Sequence, residues 1–460
     1  MRTVGIVVEY NPFHNGHLYH LQQAQQVSGA EAVVAVMSGY FLQRGEPALL
    51  DKWMRAEMAL RSGVDLVLEI PTVYACQPAE WFAYGAVATL EATGVVDYLC
   101  FGSESGGLAP LQRVARTVAT ESKQLTTALK RFLKKGYSYP RAYSAALTER
   151  HPDAFTELTQ PNNVLGLGYL TALHQLNSRI EPLTIRREKS GYNETRLTDA
   201  RIASATAIRK TWLETGDLTA IHPYVPQTTY DLLTRAVSSG VRPVTWEALR
   251  QAVFTKIATL SPEELRAIYD VGEGLEYRLQ RQLFRAAQRH AKGTDNRTDR
   301  PLATEAMEAM EATDVWANLS VYDYIAALKT KRYTWAHLQR ILTYVLLGLR
   351  KSDLTRSVLD NGPSYIRVLG FTPRGRTLLK TMKARATVPI LTRIGRERPP
   401  MLECDLRAAA VYALASEARL PLTVEYERAP VYVGETDRSR TTAQDYSEGA
   451  DFRLGRKASK

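Results

Sequence analysis

Residues 4–22, VGIVVEYNPFHNGHLYHLQ, decide how the rest of the chain is read. The apolar run Val4 to Val8 has the length and composition of a strand buried on both faces. Asn11-Pro12 breaks it, and a polar, amphipathic segment from about Gly16 predicts a helix. The stretch is therefore strand, tight loop, helix. The loop carries His14 and His17 separated by Asn15-Gly16, so both imidazoles and several backbone N–H groups can face one guest. A helix N-terminus attracts anions, because its first N–H groups lack partners and the peptide dipoles turn their positive end outward. Phosphate is the guest this favours. Metal ligation by the two histidines is a competing reading, but a catalytic zinc wants a third ligand, and no HExxH or CxxC pattern occurs elsewhere. A plain surface loop is the other.

Outward from this stretch, apolar runs at Ala32–Met37, Val64–Glu69, Asp97–Phe101 and Ile180–Ile185 read as four further strands, with helical patterns between them. Such alternation implies an α/β class: a Rossmann-like parallel sheet with helices on both faces. Ligands of these sheets bind where strands end and helices diverge. The loops Asn11 to His17, Ser38 to Glu46 and Gly102 to Gly107 all follow strands and are expected to converge on one edge. Asn162 is a candidate helix cap or ligand contact. Arg187 follows the fifth strand. Ile202 to Arg209, IASATAIR, then opens a helix on which Ser204 and Thr206 can cap the backbone or donate to phosphate, with Arg209 one turn in.

Composition bounds the remainder. A chain of 460 residues with 45% hydrophobic content is expected to be globular, with large cores and two or three domains. Its apolar runs are too short to span a bilayer and its first segment is a poor signal peptide, so a cytoplasmic protein is expected. Cys76, Cys100 and Cys404 are odd in number and far apart, against a disulfide framework. Net charge is +11, yet sixteen Lys/Arg face three Asp/Glu between Lys329 and Arg398, a surplus of +13. The rest is close to neutral, and one region is expected to hold the polyanion-binding potential. There Lys329, Lys331, Arg332, Arg350, Lys351, Arg367, Arg374 and Arg376 interleave with Tyr333, Tyr365 and Phe371, cations for phosphates and rings for unpaired bases. Strand signals fade beyond Gly216, helical patterns dominate, and the tail from Asp437 reads as polar and mobile. Residues 1–215 are thus expected to form the α/β domain with its phosphate site, and 216–460 a mainly helical, basic domain suited to nucleic acid.

The HNGH loop resembles the HxGH signature of the nucleotidyltransferase superfamily, and IASATAIR resembles its second motif, ISSTxIR, with Ala205 in place of the second serine. The wording EYNPFHNGH is more particularly similar to the bacterial tRNA(Met) cytidine acetate ligase family. That resemblance implies catalytic roles for His14, His17 and Arg209. It implies ATP contacts at Val7, Val8, Glu9, Tyr10, Asn11, Pro12, Phe13, His14, Asn15, Gly16, His17 and Leu18, and at Ser204, Thr206 and Arg209; Gly102, Asn162 and Arg187 join them as expected ATP contacts by their places after strands and at a helix start. Mg²⁺ is expected with the ATP. Acetate and elongator tRNA(Met) are the implied partners: acetate would attack ATP to give acetyl-adenylate, whose acetyl group passes to the wobble cytidine. Ser38, Lys52 and Arg55 are candidates for the acetate pocket. Two other readings stay open at this point, a small-molecule adenylyltransferase of the cofactor-synthesis type and an RNA-binding protein whose nucleotide fold has lost catalysis.

Overall fold

The computed structural model describes residues 1–104, 106–120, 122–152, 161–186, 202–291, 319–416 and 420–437. Arg187, the polar loop 190–201, the segment 292–311 and the tail beyond 437 lie outside them, as does the side chain of Asn162.

The apolar runs form strands because their β-branched and aliphatic side chains fill two layers at once. In β2 (Ala32–Ser38) every residue is buried. Ala32, Val34 and Val36 join one core, while Val33, Ala35 and Met37 join the other, as the two-residue period of a strand requires. Parallel to it lie β1 (Thr3–Val8), β3 (Leu66–Ile70), β4 (Tyr98–Ser103) and β5 (Glu181–Arg186), in the order β5-β4-β1-β2-β3. The strand order reverses between β1 and β4, which opens a crevice at their carboxyl ends.

The connecting helices are α1 (Asn15–Ser28), α2 (Lys52–Arg61), α3 (Ala79–Ala92), α4 (Ala109–Thr120), α5 (Ser122–Lys134), α6 (Tyr139–Arg150) and α7 (Pro161–Gln175). After β5 comes α8 (Ala205–Thr215), then α9 (Gln227–Ser238), α10 (Arg250–Thr259), α11 (Pro262–Ala267), α12 (Leu275–Ala291), α13 (Val321–Leu328), α14 (Trp335–Leu347), α15 (Pro373–Arg385) and α16 (Leu402–Ala415). The later part is mainly helical, but strands do not stop at Gly216. β6 (Ile366–Phe371) pairs antiparallel with β3, and β7 (Ile390–Leu391) and β8 (Val431–Tyr432) pair with β6. Three strands from beyond residue 365 thus finish a sheet begun at Thr3. Helix α14 lies within the basic stretch of the sequence, yet every residue from Leu338 to Leu347 is buried. A helix that is apolar nearly all round belongs to an interior, and this one runs through it.

A buried ionic cluster joins the late segments to the sheet. Lys52 Nζ donates to both carboxylate oxygens of Glu69, at 2.8 and 2.6 Å, and to Glu425 at 2.9 Å. Arg367 lies 3.7 Å from Glu425, whose other oxygen accepts from Tyr40 at 2.9 Å. Lys52 holds Glu425 below the usual carboxylate range, against the burial that opposes it. At Glu69 burial outweighs the attraction of Lys52 and pushes the carboxyl up to about 7. An acid raised in the folded state binds a proton that the unfolded chain has already released. Its stabilisation is whole below the ordinary value of 4.5 and is lost as pH rises through about 7. Urea midpoints are therefore expected to fall across that window, and Glu69→Gln to flatten the fall; an unchanged pH profile in the variant would contradict this account.

Candidate active site

The crevice at the switch point is a cleft of about 280 Å³. β1 supplies Val7, Val8 and the following Glu9, Tyr10 and Asn11; β4 supplies Phe101 and Gly102; β5 supplies Ile185 and Arg186. His14, Gly16, His17 and His20 come from the start of α1, and Ser204, Ala205, Thr206 and Arg209 from the start of α8. Phe82, Leu165, Tyr169 and Ile202 add an apolar contribution.

The two histidines are oriented by the backbone they cap. His14 is the N-cap of α1, and its Nδ1 accepts from Gly16 N at 3.1 Å. His17 reaches back, its Nδ1 accepting from His14 N at 3.3 Å, and the rings stack with centroids 3.7 Å apart. Because each Nδ1 receives an N–H, each neutral ring carries its proton on Nε2, and both therefore present Nε2 as a donor. Gly16 is required for this packing: a Cβ there would meet His14 Cε1 at 2.9 Å.

The second motif closes on the first. Ser204 caps α8, its Oγ accepting from Ala207 N at 3.1 Å. Arg209 donates to Asn11 O at 3.0 Å, approaches Thr206 Oγ1 at 3.4 Å and pairs with Glu46 at 3.4 Å. Asn11 in turn holds Leu49 N through its side chain at 2.8 Å. Glu46 sits on the loop between the Phe41 and Pro47 bridge partners, tied to α14 by Thr343 Oγ1 on Gly45 O and Gln339 Nε2 on Glu46 at 3.5 Å. Gly45 has φ +87° and lies so close to α14 that a Cβ would fall 2.3 Å from Arg340 N. Glu9 accepts from Gln43 N at 2.7 Å and Ser38 Oγ at 3.3 Å, and burial raises its carboxyl despite that backbone bond.

With this geometry the comparisons have a clear meaning. Residues 1–300 and 301–424 match the family model described as HIGH Nucleotidyl Transferase. The tRNA(Met) cytidine acetate ligase of Alkaliphilus metalliredigens is 38% identical over 433 residues, covering 90% of this chain and 94% of the relative. That of Halalkalibacterium halodurans is 38% identical over 440 residues, covering 94% and 98%. This chain belongs to the tRNA(Met) cytidine acetate ligase family. The crystal structure of Thermotoga maritima TmcAL in its apo form superimposes with a TM-score of 0.82 at 32% identity, covering 94% of this chain and all of that one. A second crystal structure of that protein, bound with alpha-thio ATP, matches with a TM-score of 0.80. The Rossmann-like class read from the strand pattern is the fold observed.

Of the expected ATP contacts, Val7 to Asn11, His14, Gly16, His17, Gly102, Ser204, Thr206 and Arg209 line the cleft. Pro12, Phe13, Asn15 and Leu18 do not: all are buried in the wall behind it, with Asn15 Nδ2 on Pro223 O at 2.9 Å. Arg187 and the Asn162 side chain lie outside the described residues.

The acetate-pocket candidates need correction. Lys52 is fully buried between Glu69 and Glu425, and Arg55 is fully buried among backbone carbonyls, donating to Glu9 O at 2.6 Å, Ser38 O at 3.1 Å, Leu50 O at 3.0 Å and Gly39 O. Ser38 is equally enclosed and touches the cleft only through Glu9. None of the three lines the cleft. Among the tRNA candidates, Arg367 is 1% exposed inside β6, and Tyr365 is fully buried against Asp405. A basic residue within a two-sided strand looks, in sequence, like one on a surface. Lys329, Lys331, Arg332, Arg350, Lys351, Arg374 and Arg376 are exposed and Tyr333 half-buried. Arg332 pairs with Glu273, and Arg376 lies over Tyr432. His20, Phe82 and Tyr169 also line the cleft, and only the place of His20 one turn after His17 signals any of them in the sequence; Gln43, Arg44 and Glu46 come from the loop Ser38 to Glu46 expected at this edge, and Arg186 from the end of β5.

The capping role of His14 has a stability signature separate from any chemistry. His14→Ala is expected to destabilise the fold by about 1 kcal/mol and His14→Asn, which keeps a capping acceptor, by much less. Urea titration of the two variants measures the difference.

Proposed function

We propose that this protein activates acetate with ATP as acetyl-adenylate and transfers the acetyl group to the N4 amine of the wobble cytidine of elongator tRNA(Met), forming N4-acetylcytidine. The observation that carries the reading is the pair of stacked imidazoles at the start of α1, both offering Nε2–H beside Arg209 at the switch point of the sheet. The names and coverage of the relatives support it.

An acetate oxygen attacks the α-phosphorus, and pyrophosphate leaves with the electron pair of the broken P–O bond. Negative charge grows on the leaving group and on the phosphoryl oxygens. The Nε2–H groups of His14 and His17, the first amides of α1 and the Arg209 guanidinium are donors fixed before the charge develops, so little reorganisation is needed. Ser204 and Thr206 add hydroxyls; Ala205 removes one that the usual motif would have. No side chain needs to become covalently attached, so catalysis rests on positioning and electrostatics. In the second step the cytidine amine attacks the acyl carbon, AMP departs as the leaving group and the amine loses a proton. Phe82, Phe101, Leu165, Tyr169 and Ile202 suit the base of the nucleotide, while the exposed cations between Lys329 and Arg376 suit the tRNA backbone. Residues 1–215 would house activation, completed by β6 to β8, with later helices bearing tRNA. Among the described residues no three His, Cys, Asp or Glu side chains are grouped to hold a metal ion. Mg²⁺ is expected with the ATP, and no step here runs through it. No described helix is long and apolar enough to cross a membrane; we place the reaction in the cytoplasm, with its tRNA.

Protein incubated with ATP, labelled acetate and total tRNA is expected to leave label in acetylcytidine after nucleoside digestion; label nowhere in the tRNA would sink the reading. Loss of one donor to developing charge typically lowers turnover about 10²–10³-fold, so His17→Ala should lower acetate-dependent pyrophosphate release by that order. A release that instead requires a mononucleotide would indicate a cofactor-type adenylyltransferase. Replacing Lys331 and Arg332 together by Ala is expected to weaken tRNA binding and flatten its salt dependence while acetate activation persists. Equal loss of both half-reactions would contradict the division of labour.

A further inference from the structure

The expectation that positive charge sits in one region fails on closer count. Residues 109–150 carry nine Lys/Arg against two Asp/Glu, a surplus of +7 that acidic segments elsewhere conceal in the chain average. These residues are α4 to α6, the excursion between β4 and β5.

Their arrangement is one-sided. On α5, Leu125 is buried and Ala128, Leu129 and Phe132 pack against the core, while Lys123, Lys130, Arg131 and Lys134 are exposed, with Lys135 just beyond. Lys123, Lys130 and Lys134 are spaced to share a helix face. α6 closes on α5 through buried Ala142, Ala146 and Leu147 and leaves Arg141 outside, its guanidinium 4.4 Å from the Tyr137 ring. Within the excursion Glu149 is taken by Arg131, and Glu121 lies outside the described residues.

This charged face adjoins both the cleft and the C-terminal cations. Tyr139 at the start of α6 donates to Glu80 at 3.4 Å. Glu80 lies on α3, two residues before Phe82, which lines the cleft. The charge of Arg356, from the C-terminal basic stretch, is felt at both Glu80 and Tyr139, and Tyr84 of α3 donates to Asp360 O, one turn from Arg356. The two positive regions, separated by about two hundred residues in sequence, therefore come together at Glu80 on α3, the helix that also supplies Phe82 to the cleft.

We infer that α5 and the α5–α6 turn form a second RNA-binding wall, which grips tRNA backbone phosphates that the C-terminal cations do not reach. The inference rests on the tRNA reading above and deepens it. A nucleotide whose base enters the cleft has backbone running away in both directions, and one basic wall would hold only one of them. Backbone phosphates are the ligand to which this face is best suited, since cations spaced along one helix face neutralise successive phosphates whatever the base.

The test uses the full-length chain with Lys123→Gln, Lys130→Gln, Lys134→Gln and Lys135→Gln combined, leaving the Arg131–Glu149 pair intact. With ~0.7–0.9 counterions released per phosphate contact, the slope of log affinity against log salt should become shallower by about 3, and tRNA affinity near physiological salt should fall by about tenfold or more. Acetate-dependent pyrophosphate release should be unchanged, and replacement of the same four lysines by Arg should keep both properties. Unaltered affinity and slope in the Gln variant would overturn the inference. Should that variant also lose pyrophosphate release, single Lys→Gln changes decide: each lowers the slope by a little under one unit if the wall binds phosphate, and none does if it does not. Lysine-dependent tRNA binding by a wild-type protein that forms no acetylcytidine would overturn the proposed reaction and leave the wall standing.

Discussion

Arg55 is the brace on which the active edge depends. Its guanidinium is buried where β1 and β2 end, and it donates to the carbonyls of Glu9, Ser38, Gly39 and Leu50. Strand ends that diverge leave carbonyls without ladder partners, and such groups are costly to bury alone. One planar cation with five N–H donors satisfies four of them together. The loops thus held are those that carry Glu9 and the Tyr40–Pro47 turn, so the cleft inherits its shape from a residue that never faces it.

The polar groups around the cleft form a closed circuit rather than a row of independent donors. Asn11 holds Leu49 with its side chain and receives Arg209 on its backbone; Arg209 touches Thr206 and Glu46; Glu46 and Gly45 are fastened to α14. A change at any member shifts its neighbours, and coupled responses between HNGH, the second motif and α14 are the natural consequence.

What could be read in the sequence was what is local. HNGH sits at a strand-to-helix junction, and the strand, the break and the helix all lie within nineteen residues, so that local structure was visible in the string. IASATAIR was visible for the same reason, although its approach to Asn11 was not. Phe82 and Tyr169 reach the cleft only because the sheet gathers distant elements, and nothing in their own neighbourhoods signals it. β6 was taken for part of a nucleic-acid surface because Arg367 stands amid Ile, Val, Leu and Phe; burial against Glu425 and Trp53 is a fact of three dimensions. Lys52 and Arg55 misled in the same way. The second basic wall was missed through averaging, since a window as wide as the chain cancels a charged excursion against acidic segments elsewhere.

The antiparallel pairing of β6 with β3 also bears on how the molecule is made. Both sequence motifs have been synthesised by residue 209, yet β3 remains an open edge until residues 366–371 appear, and open edges invite unwanted pairing. Lys52 has Glu69 near it early but meets Glu425 only after 373 further residues. A chain emerging from the ribosome therefore carries an ATP edge long before it carries its own far border. Residues 366–371 and Glu425 complete what the two motifs begin, and they do so from more than 150 residues downstream of both.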